Sequence, residues 1–301
     1  MSAPISTPTS ADVRAAAIAV RPYARRTPVL RAELDGRPLV LKLEHLQRGG
    51  SFKLRGAANA LAAGPRPDHV VTASGGNHGL GVATAAALLG LPATVYVPEG
   101  APAAKARRIE DTGAKLVRHG ATYAEAAEAA YAAVGPGARY LHAYDDPAVV
   151  AGQGTVGLEV VEDAPDVDAV VVAVGGGGLA AGTSLAIGER VTYAVEPENC
   201  RALNAALEAC EPVDVGIDSV AASALGATRI GAVPFSLLRG VRSLLVGDDE
   251  ILAARDRLWD EFRLAVEPAA AVPFAAWLAG QVDAELPCLV ICGANADWLP
   301  G

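Results

Sequence analysis

Cysteine is scarce in this 301-residue chain, which contains only Cys200, Cys210, Cys288 and Cys292. Secreted domains held together by disulfides use far more cysteine for their length. If residues 288–292 form a strand, its two end cysteines lie roughly 13 Å apart at about 3.3 Å per residue, beyond disulfide reach. The spacing does not match a zinc site either. We therefore expect a reduced, cytoplasmic protein without a bound metal.

Positive charge is also in short supply. The chain has 25 Lys and Arg residues against 34 Asp and Glu residues, a net charge of −9 and a pI near 5.1. This balance argues against a broad basic surface for nucleic acid. Residues 79–98 and 169–188 are uncharged and long enough to span a bilayer. Glycine and proline interrupt the first run and four consecutive glycines interrupt the second, so we expect no membrane insertion.

The chain ends carry no recognisable targeting signal. Residues 1–10 lack a basic region followed by an apolar segment, which predicts a loose tail rather than a signal peptide. Because the chain stops at Gly301, we expect no C-terminal regulatory domain.

Strand and helix patterns alternate along most of the chain. This alternation predicts an α/β protein with open, twisted, parallel sheets and helices on both faces. Predicted strands cover residues 39–44, 70–73, 93–97, 115–118, 169–174, 192–195 and 287–292. Predicted helices cover residues 12–20, 77–89, 103–112, 122–134, 147–161, 178–187, 199–209, 248–263 and 268–279. In the first strand, alternation puts Lys42 and Glu44 on the polar face.

Lysine is rare as well, and one lysine is a candidate for covalent chemistry. An amine can lose its proton when it is buried and can then attack a carbonyl, whereas a guanidinium stays charged. Lys53 follows Gly50 and Ser51 and precedes Gly56, so a flat ligand has room to approach the backbone. An ordinary lysine at a helix start is the alternative.

The other lysines have simpler interpretations. Lys105 and Lys115 lie in or beside an Ala-rich segment with Arg107 and Arg108. We expect these side chains to be solvated surface charges.

A run of four glycines joins a predicted strand to a predicted helix. Gly175, Gly176, Gly177 and Gly178 are followed by Leu179. Glycines there let successive amides turn toward an anion at the helix start, which predicts a phosphate site. A tight packing turn is the alternative. A dinucleotide site is disfavoured because the G-x-G-x-x-G spacing is absent, although Glu196 could serve as its acidic residue.

Two segments together resemble a known family. Residues 42–47 (Lys-Leu-Glu-His-Leu-Gln) and 50–57 (Gly-Ser-Phe-Lys-Leu-Arg-Gly-Ala) are similar to the cofactor-lysine motif of fold-type II pyridoxal-phosphate enzymes. The likeness is to the serine/threonine dehydratase and serine racemase group, and further motifs follow in order over about residues 27–297. It implies a small substrate-binding domain at residues 54–144 and a large cofactor-binding domain built from residues 1–53 and 145–301. A homodimer is also implied.

The resemblance assigns roles residue by residue. Lys53 would hold pyridoxal 5'-phosphate covalently, the four glycines would bind its phosphate, and Cys292 would give its ring nitrogen one neutral hydrogen bond. The expected cofactor-binding residues are Phe52, Lys53, Asn77, Gly175, Gly176, Gly177, Gly178, Leu179 and Cys292. The expected substrate-binding residues are Ser74, Gly75, Gly76, Asn77 and His78. Apart from the resemblance, Ser74 and Asn77 would be helix caps, His78 a core histidine and Cys292 a small apolar filler.

Two departures from the family pattern refine the prediction. Racemases of the group have a serine at the position of Gly75, which reprotonates the opposite face of the substrate, so this chain favours a dehydratase acting on L-threonine or L-serine. Some members bind a divalent cation at the position of Glu196, but an aspartate of that site is replaced by Ala202. Because such a cation needs several oxygen ligands, we expect no metal.

Three alternative functions stay open at this point. Another elimination or replacement on a β-substituted amino acid, such as 3-hydroxyaspartate dehydration or a synthase reaction, would use the same fold. A racemase is disfavoured by Gly75. A non-catalytic pyridoxal-phosphate carrier would bind the cofactor without turnover.

Overall fold

The computed structural model describes residues 6–296 and contains ten strands and twelve helices within them. The remaining residues, 1–5 and 297–301, include half of the predicted tail and both ends of the predicted large domain, and they lie outside the described part. The strands are β1 Val29–Leu34, β2 Arg37–Lys42, β3 His69–Ala73, β4 Ala93–Val97, β5 Lys115–Arg118, β6 Ala138–Tyr140, β7 Ala169–Ala173, β8 Val191–Pro197, β9 Arg242–Val246 and β10 Pro287–Val290.

The helices alternate with these strands along most of the chain. They are α1 Ser10–Val20, α2 Lys53–Ala62, α3 Asn77–Leu89, α4 Ala103–Glu110, α5 Tyr123–Ala132, α6 Pro147–Asp163, α7 Gly178–Ala186, α8 Ala202–Ala209, α9 Ala222–Leu225, α10 Ala232–Leu237, α11 Asp248–Phe262 and α12 Pro268–Leu278. The predicted elements are all present, with ends shifted by up to three residues. Short elements such as β6 and α9 escaped prediction because three or four residues do not establish a period.

The strands form two separate sheets. The larger sheet has the order β1-β2-β10-β7-β8-β9, and the smaller has the order β5-β4-β3-β6. All pairs are parallel except β1 with β2, which are joined through Asp35 and Gly36, both with positive φ. A two-residue loop of this kind is typical of a tight hairpin. The predicted α/β class is therefore confirmed. The predicted domain limits stay a prediction, although β3 to β6 all fall within residues 54–144.

Three neighbouring strands of the larger sheet bring distant segments to one edge. β10 lies between β2 and β7 and is parallel to both. Parallel strands end at the same edge, and ligands bind at that edge in open α/β sheets. The segments that leave β2, β7 and β10 there lead to Lys53, to the four glycines and to Cys292, respectively.

The centre of the larger sheet is buried on both faces. All five residues of β7 are buried, as expected for a central parallel strand, and the strand belongs to the largest apolar cluster of the protein. All four cysteines are free, and Cys288 and Cys292 are buried. The expectation that these two form no disulfide is therefore confirmed. No helix within residues 6–296 has the length and apolarity that a transmembrane segment requires.

The prediction that Lys42 and Glu44 lie on the polar face of a strand was wrong. Lys42 and Glu44 are fully buried, and Glu44 lies beyond the strand in a short 3₁₀ turn, Glu44–Leu46. The Arg55 guanidinium contacts Glu44 at 2.7 Å and Glu159 at 2.8 Å, and the Lys42 ammonium lies 2.6 Å from Glu159. Burial by itself would raise the pKa of Glu44, but Arg55 and Lys42 bring it below its usual value. We call these four residues the buried ion cluster.

The buried ion cluster predicts a large stability cost for losing Arg55. Arg55→Met would leave Glu44 charged and unpaired in the core, so the free energy of unfolding should fall by about 3–5 kcal/mol. Urea denaturation followed by circular dichroism measures this change. Arg31→Met is the matched control, because Arg31 pairs with Asp166 at the exposed surface and its loss should matter little. Equal losses of unfolding free energy in Arg55→Met and Arg31→Met would contradict the role of Arg55 as the buried partner of Glu44.

Candidate active site

Lys53 is the first residue of α2 and projects into a cavity. The preceding turn, Arg48–Gly50, needs positive φ at Gly49 (75°) and Gly50 (73°), which glycine adopts without strain. The Lys53 ammonium donates to the carbonyl oxygen of Ala143 at 3.0 Å and lies 5.1 Å from the Phe52 ring centre. Burial lowers the pKa of Lys53 to about 8, although Cys292 and Glu267 act in the opposite direction. The amine is therefore partly neutral near neutral pH.

The four glycines form a cradle at the start of α7. Gly177 has a φ of 89°, and a side chain at Gly176 would overlap the ring of Tyr144. The amides of Gly175, Gly176 and Gly177 meet no hydrogen-bond acceptor among residues 6–296. Free amides next to a helix N-terminus suit a phosphate. We call residues 175–178 the glycine cradle.

One cavity brings all the expected cofactor-binding residues together, and we call it the lysine cavity. It has a volume of about 450 Å³, counted with the solvent at its mouth. Its lining includes every cofactor residue expected from the sequence: Phe52, Lys53, Asn77, Gly175, Gly176, Gly177, Gly178, Leu179 and Cys292. Tyr144, Ala173, Ala224, Leu225 and Glu267 complete it.

The lysine cavity fits pyridoxal phosphate by the chemistry of its groups. An amine with a lowered pKa lines the same cavity as unpaired backbone amides, and an aldehyde with a phosphate tail requires both groups. Burial raises the pKa of the Cys292 thiol, so this side chain is neutral and can act as the single uncharged partner of a ring nitrogen.

The loop after β3 contributes to a second cavity beside the first. Gly75, Gly76 and Asn77 line this cavity, but Ser74 and His78 line neither. The Ser74 hydroxyl accepts the Gly76 N–H at 3.2 Å. His78 Nε2 lies 2.9 Å from the Thr72 hydroxyl and 3.1 Å from the Leu141 carbonyl oxygen. Burial and the nearby Lys53 lower the pKa of His78 to about 3. Substrate binding by Ser74 and His78 stays a prediction.

Asn77 is held between the two cavities by a hydrogen-bond chain. Its amide donates to the Glu267 carboxylate at 2.6 Å, and its oxygen accepts from the Asn295 amide at 2.8 Å. The Asn295 amide also donates to the Gly49 carbonyl oxygen at 2.7 Å. This chain connects α3 to the turn before Lys53 and to the segment after β10.

Glu267 is a buried carboxylate at this junction. Burial raises its pKa, while Asn77, Lys105 and Arg108 partly counteract that effect. Sequence reasoning missed this role of Glu267, because only the folded chain brings its carboxylate 2.6 Å from the Asn77 amide.

The second cavity contains two cations that the sequence assigned to the surface. We call it the arginine cavity, with a volume of about 310 Å³ including its mouth, and Gly75, Gly76, Asn77, Leu80, Lys105, Arg108, Ser223, Glu267 and Asn295 line it. Lys105 is half-buried, so its interpretation as a solvated surface charge was wrong. Arg108 is exposed, as predicted, and its guanidinium donates to the Asn295 side-chain oxygen. Lys115 is exposed, as predicted.

Glu196 has a structural partner of its own. Its two carboxylate oxygens accept the Leu203 and Asn204 amides, each at 2.8 Å, so it caps the start of α8. Burial raises the pKa of Glu196 to about 7. Within residues 6–296, no group of three or more His, Cys, Asp or Glu residues could hold a metal ion.

Comparisons with known proteins agree with this site. The family model described as "Pyridoxal-phosphate dependent enzyme" matches residues 20–293. The L-threonine ammonia-lyase of Geobacter sulfurreducens is 38% identical over 92% of this chain and 73% of its own length. Human serine racemase is 35% identical over 95% of this chain and 91% of its own length. The solved structure of a threonine deaminase from T.th. superimposes with a TM-score of 0.91 at 35% identity, covering 97% of this chain and all of that one.

The match covers most of the chain, and relatives above 30% identity cover more than two thirds of it. The family expected from the motifs around Lys53 is confirmed. The chain therefore belongs to the pyridoxal-phosphate dependent enzymes, in the group that contains the threonine ammonia-lyases and serine racemase.

Proposed function

We propose that this enzyme converts a β-hydroxy amino acid, L-threonine and/or L-serine, to a 2-keto acid and ammonia. The water lost in the elimination is regained when the resulting imine hydrolyses. The observation that carries the proposal is the lysine cavity, which Lys53, the glycine cradle and Cys292 line together. Relatives named L-threonine ammonia-lyase, from Geobacter sulfurreducens and Thermotoga maritima, support the same reaction.

Three sets of groups would hold the cofactor. The amides of the glycine cradle and of Leu179 would bind its phosphate, Lys53 would bind it covalently, and Cys292 and Asn77 would bind its ring. When bound, pyridoxal phosphate supplies an electron sink that stabilises negative charge at the substrate Cα. A neutral thiol partner leaves the ring nitrogen less fully protonated than a carboxylate would, which suits an elimination with a prompt leaving group.

Lys53 is also the base of the reaction. With its amine free, Lys53 would remove the proton from the substrate Cα. Because the pKa of Lys53 is lowered to about 8, a substantial fraction of its amine is neutral near pH 8. The half-buried amides of loop 74–77 bind the substrate carboxylate, with Ser74 and His78 as further substrate-binding residues.

Gly75 separates elimination from racemisation. A racemase must deliver a proton to the face opposite Lys53, and Gly75 offers no hydroxyl there. The structure has space for one, because a Cβ at Gly75 would meet Val97 Cγ1 at 3.5 Å and Ala101 Cβ at 3.7 Å, which are ordinary contacts.

The setting of the enzyme is part of the proposal. Four free cysteines suit a reducing compartment, so we place the enzyme in the cytoplasm. A homodimer is proposed from the family resemblance alone.

The alternative functions are separated from the proposed one by ammonia release. A synthase or another β-elimination at the same site is identified by measuring ammonia release with and without an added nucleophile. A non-catalytic carrier would release no ammonia.

The proposal predicts that Lys53→Ala abolishes deamination. Loss of the base and of the covalent anchor should lower the rate of 2-keto acid formation from L-threonine and L-serine by at least about 100-fold. Lactate dehydrogenase coupling or hydrazone formation measures the product. Lys115→Ala is the matched control and should keep the full rate, since Lys115 is exposed. An undiminished rate in Lys53→Ala would end the proposal.

The depressed pKa of Lys53 predicts how cofactor uptake depends on pH. Only the neutral amine attacks the aldehyde, so the rate of adduct formation by apo-protein with pyridoxal phosphate should rise with pH and level off above an inflection at about 8. Stopped-flow absorbance measures that rate. The control is an unperturbed lysine amine, for which the same rate should have its inflection at about pH 10.4. An inflection of the protein above about 10, close to that ordinary value, would contradict the assignment.

Restoring a hydroxyl at Gly75 should open the racemase route. Gly75→Ser is predicted to raise D-serine formation from L-serine at least about tenfold relative to 2-keto acid formation, because a second-face acid becomes available. Chiral chromatography measures both products. Gly75→Ala adds the same Cβ without the hydroxyl, so it should leave the product ratio of the wild type. Racemisation as fast as ammonia release in the wild type would overturn the dehydratase assignment.

A further inference from the structure

His142 closes a tight turn directly beside the reactive lysine. Its Nδ1 atom accepts the backbone N–H of Asp145 at 2.8 Å and that of Tyr144 at 3.3 Å. A ring nitrogen that accepts hydrogen bonds carries no proton, so the neutral imidazole has its proton on Nε2. His142 lines neither cavity, and the proposed reaction gives it no role. Its place next to Ala143 nevertheless connects it to Lys53.

The connection runs through a single peptide unit. The carbonyl group of Ala143 and the N–H of Tyr144 belong to the same planar unit, and in a trans peptide they point in opposite directions. None of the peptide bonds in residues 6–296 is cis. His142 holds the N–H side, and the carbonyl oxygen on the other side accepts from the Lys53 amine at 3.0 Å. The orientation of this unit therefore determines whether Lys53 has its acceptor.

The turn around the imidazole is itself fixed. The rings of His142 and Tyr144 meet edge to face, with their centres 4.7 Å apart. The Tyr144 ring lies against Gly176 of the glycine cradle, where a Cβ would overlap it. Asp145 is tied to the start of α10, because its carboxylate accepts the Val233 N–H at 2.8 Å. The imidazole therefore has a defined position from which it orients the peptide unit.

The groups around His142 keep its imidazole neutral. Burial lowers its pKa, and the nearby Lys53 lowers it as well, while Asp145 and Asp146 act in the opposite direction. His78 also interacts with it but carries no charge at neutral pH, since its own pKa is about 3. The pKa of His142 lies below its ordinary value, so Nδ1 is free to accept at neutral pH.

We propose that His142 is the positioning residue of the Lys53 amine. By accepting the Tyr144 N–H, it directs the Ala143 carbonyl toward Lys53, and that carbonyl holds one N–H of the amine. The lone pair of the neutral amine is then directed away from the carbonyl and is available to a ligand in the lysine cavity. This inference rests on the proposed function, in which Lys53 binds the cofactor and acts as the base.

Cofactor uptake by the apo-protein tests the inference. Stopped-flow absorbance gives the rate of adduct formation with pyridoxal phosphate, and borohydride reduction with peptide mapping identifies the lysine. In His142→Leu, the plateau rate at high pH should fall about tenfold, as for the loss of one oriented hydrogen bond. His142→Asn keeps an acceptor near the position of Nδ1, so its rate should stay within about twofold of the wild type.

Two controls separate the amine from the cavity around it. His119→Leu is the matched variant, because His119 is exposed and lines neither cavity, and it should keep the wild-type rate. 4-Deoxypyridoxine 5'-phosphate lacks the aldehyde, so it can occupy the cavity without reacting with Lys53. Its Kd should be the same in the wild type and in His142→Leu. A Kd weakened as much as the rate would mean that His142 only maintains the cavity, which overturns the inference.

The pH profile of adduct formation separates loss of the acceptor from damage to the site. The Ala143 carbonyl stabilises the ammonium form of Lys53, so an amine that has lost this acceptor should keep its inflection at or below about 8. A site opened to water would lose the desolvation that lowers the pKa, and the inflection would move toward about 10.4. A rise of the inflection in His142→Leu would therefore overturn the inference.

Failure of this inference differs from failure of the proposed function. An adduct on Lys53 that forms at the wild-type rate in His142→Leu would overturn the inference and keep Lys53 as the cofactor anchor. If His142→Leu does not fold, His142→Asn decides, because a rate about tenfold below the wild type would overturn the role of Nδ1. An adduct on a different lysine of the wild type would overturn both. If the adduct forms on Lys53 but no keto acid is released, the dehydratase assignment fails, and the adduct rates still decide the role of His142.

Discussion

The active site depends on the contact of Arg55 with Glu44 and Glu159. These three residues come from α2, from the turn after β2 and from α6, and their charged groups meet at 2.7–2.8 Å in the core. Lys53 lies two residues before Arg55 on the same helix. The ion pairs therefore fix the first turn of α2 against the larger sheet. Because Lys53 belongs to that turn, its backbone is held in place as well. A buried charge can be retained for geometry of this kind even where an apolar core would be as stable.

The amine of Lys53 illustrates how a mostly apolar site creates reactivity. Its partner is the Ala143 carbonyl oxygen, which accepts a hydrogen bond without carrying a full charge. A carboxylate at that place would hold the ammonium form and raise the pKa. The site instead keeps its nearest carboxylate, Glu267, occupied by Asn77. The pKa of Lys53 therefore depends on the charged acceptors that do not contact its amine as well as on the neutral acceptor that does.

Much of the fold could be predicted from the sequence, and every residue expected to bind the cofactor lines one cavity. Lys53, the glycine cradle and Cys292 each lie in a short local motif, and parallel strands bring the ends of such motifs to one edge. The burial of Lys42 and Glu44 could not be predicted, because the alternating pattern indicates that polar residues are exposed. Their burial depends on Arg55 and on Glu159, which is 104 positions from Arg55. The partial burial of Lys105 could not be predicted for a similar reason, since a helix sequence does not reveal which charged side chain lines a cavity built with residues 267 and 295.

The place of β10 within the larger sheet has a consequence for how the enzyme matures. β10 is the last strand of the described chain but pairs with β2 and β7 in the interior of the sheet. During synthesis, the edges of those two strands stay open until β10 has left the ribosome. Long-range pairing of this type slows folding and leaves strand edges exposed for longer. The cofactor can meet a finished pocket only after this final strand has been inserted, so a prematurely terminated product would carry the reactive lysine without the wall that Cys292 provides.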